Sequence, residues 1–172
     1  TLASRPQYKG YCCFCYIHLF PDEPVARNYR TKEREVVNYI RTRFPGVDWV
    51  YDKPIEGGCS RRRPDLLCDL GSHVIILEVD EHQHNAYECI CENKRLMLLS
   101  KDLGHRPLVM VRFNPDGYEN ERKEKIPSPW RVTKHGTMEI KKKWRAAWDA
   151  RLSALGDTVQ YWMESSGEKM VE

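Results

Sequence analysis

Apolar positions take up helical spacing from Thr31 onward. Val36, Val37, Ile40 and Phe44 form one stripe, Thr31 is placed to cap its start, and Pro45-Gly46 stops it. A short β-rich piece, Trp49 to Tyr51, follows, and Gly57-Gly58 marks a turn. Residues 64–70 and 73–80 read as two strands joined at Gly71-Ser72, a favourable hairpin connection. The unbroken run Val74 to Leu77 predicts a central strand covered on both faces. Helical spacing returns over residues 88–103, with Leu96, Leu99 and Leu103 as the apolar face and Gly104 as the stop. Leu108, Val109, Met110, Val111 and Phe113 predict another buried strand, ended by the turn Asn114-Pro115-Asp116-Gly117.

The flanks are less periodic. Residues 1–30 read as loops around a cysteine cluster, and 118–137, polar with Pro127 and Pro129, as a surface excursion. Trp144, Trp148, Leu152, Leu155, Val159 and Trp162 then predict an amphipathic helix over 139–163 whose Trp stripe docks on the core. The order is helix, three strands, helix, strand and a further helix. It predicts an α/β (α+β) fold: a mixed central sheet flanked by helices around one core. Three parts follow: a Cys-rich segment 1–30, a core 31–117, and an appended excursion and helix 118–172.

The length of 172 residues suits one domain, or a domain with a small appendage, burying roughly 70% of the unfolded chain's surface. Charged residues make up 31%, and no apolar run approaches a membrane span. The aromatic and aliphatic content argues against disorder. A balance of 28 Lys+Arg to 25 Asp+Glu leans toward a polyanionic partner. With Thr1 at its start and no visible secretory signal, the chain reads as a piece of a longer intracellular protein.

Seven Cys do not suit a closed disulfide framework. Cys12 and Cys15 form C-x-x-C, and Cys89 and Cys91 form C-x-C; two such pairs make a candidate structural Zn²⁺ site, with His18 or Cys59 as substitute ligands. The plainer reading is free thiols behaving as small hydrophobes, and Cys68, inside a predicted strand, fits it.

The chemistry concentrates in Arg63-Pro64-Asp65 and Glu78-Val79-Asp80-Glu81-His82-Gln83-His84. Side chains alternate along a strand, so Glu78 and Asp80 share a face that Asp65 on the neighbouring strand can reach. Three carboxylates there raise one another's pKa unless a cation lies between them. A hard ion such as Mg²⁺, or Mn²⁺, satisfies them and points to phosphoryl chemistry. Arg61, Arg62 and Arg63 precede Asp65, and Lys94 and Arg95 lie on the next helix; this basic rim suits a phosphodiester backbone.

At these residues the sequence resembles the PD-(D/E)XK nuclease superfamily, from Thr31 to Phe113. It is most similar to the branch around the very-short-patch repair endonuclease, with its acidic strand followed by His. The resemblance implies a restriction-endonuclease-like αβββαβ core and metal-dependent hydrolysis of nucleic acid, with double-stranded DNA as the partner. It implies Asp65 and Glu78 as metal ligands and Glu33, with Glu35 in competition, as an accessory acid. Asp80 stands where the family usually has Lys, so His84 is implied as general base, with Lys94 as a cation reaching back from the helix. The branch's structural zinc adds weight to Cys89 and Cys91. The expected activity is a Mg²⁺-dependent endonuclease. The rivals are a nuclease fold that has lost catalysis and a zinc-stabilised nucleic-acid-binding module.

Overall fold

A computed structural model describes residues 8–11, 13–23, 32–60, 62–81, 89–133 and 138–165, with backbone alone at 13, 14, 17 and 89–92. Its elements in chain order are α1 (Cys13–Leu19), α2 (Lys32–Arg43), β1 (Val50–Tyr51), β2 (Leu66–Asp69), β3 (Val74–Val79), α3 (Cys89–Asp102) and β4 (Leu108–Phe113). Then come β5 (Tyr118–Glu119), β6 (Lys125–Ile126), β7 (Trp130–Val132), β8 (Met138–Ile140) and α4 (Arg145–Glu164).

The main sheet runs β1-β2-β3-β4. Strand β2 pairs antiparallel with both β1 and β3, and β4 joins β3 in parallel, with α3 as the crossover. All six residues of β3 are buried, as its apolar run predicts. Gly71 (φ +80°) supplies the left-handed residue of the β2–β3 turn, where the Leu70 amide donates to the His73 carbonyl at 3.0 Å.

Alternation of side chains divides the core in two. Leu66, Cys68, Ile75, Leu77, Val109, Val111 and Phe113 pack with Val36, Val37 and Ile40 of α2 and Trp148, Leu152, Leu155 and Val159 of α4. Val74 and Ile76 pack with Leu99 of α3, and Leu67, Leu103, Leu108 and Met110 close around them. The fold is therefore mixed α+β, a sheet between two helices on one face and one on the other. Arg43 ties the paired helices: its Nη2 donates to Asp157 at 2.6 Å, and its guanidinium lies where a Cβ at Gly156 would intrude, at 2.6 Å.

Four expectations change. The stretch expected to loop around Cys15 contains α1, and its Tyr16 meets the tilted rings of Tyr8 and Phe20 on either side of the helix in sequence. Leu96 is 41% exposed; among the described residues of α3, Leu99 is fully buried against the sheet, and Leu103, just past the helix end, is partly buried. The excursion 118–137 holds two small hairpins, β5–β6 and β7–β8, and Trp130 within it is buried edge-on against Trp148, 5.2 Å between centroids. The last helix begins at Arg145 rather than 139, since Met138–Ile140 pairs with β7 and a 3-10 turn over Lys142–Trp144 intervenes. Of the expected stripe, Trp148, Leu152, Leu155 and Val159 are buried, with Trp148 fully enclosed, while Trp144 lies in the 3-10 turn and it and Trp162 are half-buried. Thr31 lies outside the described residues. No described helix is long and apolar enough to cross a membrane.

Candidate active site

The even-numbered face of β3 carries Val74 and Ile76 against α3, and Glu78 continues that line. Leu66 is opposite Leu77, so one step further along the antiparallel ladder Asp65 faces Glu78. Asp65 closes the ladder with its side chain: Oδ2 accepts the Val79 amide at 2.7 Å. Asp65 thus reaches the face of Glu78, as expected.

Asp65 is held in an unusual state. Burial pushes its carboxyl up to about 7, and the charges of Glu78 and Glu33 push the same way, against the Val79 hydrogen bond and Arg95. Glu33 reaches the cluster from the first turn of α2, and its Oε1 accepts the Tyr51 hydroxyl at 2.8 Å. Burial and that bond push the Tyr51 phenol up to about 12. Glu78 is 11% exposed and meets Arg95 from α3, whose Nη2 lies 2.6 Å from Oε1 and 2.8 Å from Oε2.

Asp80, the third of the expected trio, is paired with a cation of the protein. It is buried at the end of β3, its amide bonds the Phe113 carbonyl, and its Oδ2 accepts Nε of Arg112 at 2.5 Å. Arg112 stands beside Glu78 in the parallel register, so a cation from β4 holds the position-80 acid. Lys94 is exposed on α3. Arg62 is half-buried, and Arg63 is exposed, 4.0 Å from Asp52. Glu35 is half-buried on α2. Arg61, His82, His84 and Cys12 lie outside the described residues, as do the side chains of Cys89 and Cys91. Cys15, Cys59 and His18 are exposed, and burial pushes the Cys68 thiol up to about 11. Among the described residues, no three His, Cys, Asp or Glu side chains gather as a metal-binding group.

Sequence reasoning missed three residues. Tyr51 was legible only as strand. Arg112 breaks the apolar run of β4 at the level of Glu78, which parallel pairing alone reveals. Lys32 is buried at the start of α2, with Nζ 2.7 Å from Asp116 and 3.6 Å from Glu81; its partners are too distant in the chain for spacing to disclose.

The donor set is chemically suited to a hard divalent cation. Asp65 and Glu78 offer only oxygens, and a carboxyl raised to about 7 needs either a proton or a nearby positive charge to remain buried. Compared with known proteins, the chain matches no family model, no curated protein and no solved structure at a significant level.

Proposed function

We propose that the chain is a Mg²⁺- or Mn²⁺-dependent endonuclease of PD-(D/E)XK type, hydrolysing phosphodiester bonds in double-stranded DNA in an intracellular setting. One observation carries the reading: Asp65 and Glu78 stand opposite each other at the end of the β2–β3 hairpin, within electrostatic reach of Glu33, and burial, reinforced by the charges of Glu78 and Glu33, pushes Asp65 up to about 7. The element order α2-β1-β2-β3-α3-β4 accords with the αβββαβ core that the resemblance implies.

Asp65 and Glu78 would hold the cation. When bound it supplies Lewis-acid stabilisation of the phosphorane-like charge and a lowered water pKa. Glu33, anchored by Tyr51, orients water on the α2 side. Arg63, exposed, and Arg95, partly exposed, bind backbone phosphates. His84 is assigned as the general base, close in sequence to the strand end. Structural zinc on Cys12, Cys15, Cys89 and Cys91 belongs to the same reading, and metal analysis of the purified protein tests it.

A second reading, a non-catalytic nucleic-acid-binding module, is favoured by one observation: Asp80, in place of the family Lys, is taken up by Arg112. Plasmid nicking separates the two. The wild type is expected to convert supercoiled DNA in Mg²⁺ or Mn²⁺ and not in chelator, and Glu78→Ala to be inactive while folded. Cleavage by Glu78→Ala at the wild-type rate would overturn the assignment.

A further inference from the structure

The Glu78 carboxylate is already held by a cation, and that cation belongs to the protein. One nitrogen of Arg95, Nη2, lies nearly equidistant from both Glu78 oxygens, at 2.6 and 2.8 Å. A third oxygen, the Arg63 carbonyl, is 3.4 Å away. This positive centre occupies the carboxylate that would help hold a metal. The guanidinium and a divalent cation therefore compete for Glu78, and their like charges repel at such range.

The two partners differ in access. The Glu78 side chain is 11% exposed and that of Arg95 is 36% exposed. Arg95 sits on α3 beside exposed Lys94 and next to exposed Arg63. A polyanion arriving from solvent meets the guanidinium before it meets the acid. The planar donor fork of arginine fits phosphate as well as carboxylate, so exchanging one for the other sacrifices little hydrogen bonding.

We propose that Arg95 is a phosphate-operated latch on the metal site. Without nucleic acid it closes Glu78; a backbone phosphate draws it away and opens Glu78 to a divalent cation. The latch rests on the nuclease reading above and deepens it. Metal loading is then coupled to nucleic-acid binding, and linkage makes the coupling reciprocal: DNA tightens metal by the factor by which metal tightens DNA. A nuclease with such a site carries little metal until it sits on its substrate.

The test is Mn²⁺ binding, followed by the electron paramagnetic resonance of the free ion at constant ionic strength, with and without a short DNA duplex. Site binding is scored as the part that Glu78→Gln removes. Wild type is expected to bind Mn²⁺ more tightly with DNA, by about 5–150-fold. Arg95→Met is expected to show that tightening without DNA and to gain little more from it. Should Arg95→Met fail to fold, Arg95→Gln is read in its place, because a phosphate that ligates the metal tightens binding in the wild type even without a latch. Equal Glu78-dependent affinity with and without DNA overturns the latch and leaves the metal site standing. No Glu78-dependent Mn²⁺ binding in any arm removes both the latch and the nuclease reading.

Discussion

At the scale of single residues, Asp65 is the informative group. Its folded pKa of about 7 lies above the ordinary 3.8, so between those values the folded state binds more protons than the unfolded chain. Its contribution to stability is therefore full at low pH, falls as pH rises through that window, and is gone above it. In metal-free protein, Asp65→Asn is expected to stabilise by about 1–2 kcal/mol at pH 8, after allowance for solvent screening of a half-buried site, and by little at pH 4. Urea denaturation at the two pH values checks this, and an equal change at both would contradict it. The sign is opposite at Asp69. Hydrogen bonds from Arg106 and from the Gly71 amide hold its carboxyl down at about 2, so that surface pair contributes above the ordinary carboxylate range and is lost as pH falls toward 2. The identity of Asp65 and Glu78 was legible in the sequence because carboxylates at the polar end of an apolar strand are out of place there. The diversion of Asp80 was not, because its partner Arg112 is contributed by a strand that pairs only after the chain crosses over through α3.

Among the elements, α3 does three jobs. Leu99 seats it on the sheet, Arg95 brings it to Glu78, and its last residue holds the loop that leads into Asp65. Asp102 accepts the Cys59 amide at 3.0 Å and the Ser60 amide at 3.2 Å, together with the Ser60 hydroxyl. Gly58 is required beneath it, since a Cβ there would lie 2.7 Å from the Asp102 carboxyl carbon. Asp102→Ala is expected to cost about 1–2 kcal/mol and to speed amide exchange at Cys59 and Ser60. Exchange unchanged at both amides would show that the loop is held by something else. On α4, Trp148 touches Phe113 and Trp130 edge-on and is fully enclosed, so Trp148→Ala is expected to cost about 3–5 kcal/mol by thermal or urea unfolding. Helical spacing disclosed α2 and the α4 stripe, each of which buries one face, and unbroken apolar runs disclosed β3 and β4. Neither disclosed β5 to β8, where two- and three-residue strands give too short a pattern, or α1, where closely spaced aromatics and cysteines leave no polar face to read.

For the whole molecule, the sheet is a divider. One face is filled by α2 and α4; the other is covered by α3 at one end and left to polar groups at the other. That end gathers Asp65, Glu78 and Arg95, with Asp80 and Arg112 beside them, at the C-terminal ends of the two parallel strands β3 and β4. The sequence carried this division through strand alternation, while the ion pairs that organise it depend on strand order. The most direct check of the central claim is anomalous diffraction at the manganese edge, from crystals of the protein grown with Mn²⁺ and a short DNA duplex. The account predicts a peak bonded by both Asp65 and Glu78, with Arg95 turned to a phosphate. A map with no peak between those two carboxylates, and Arg95 still on Glu78 beside bound DNA, would contradict it.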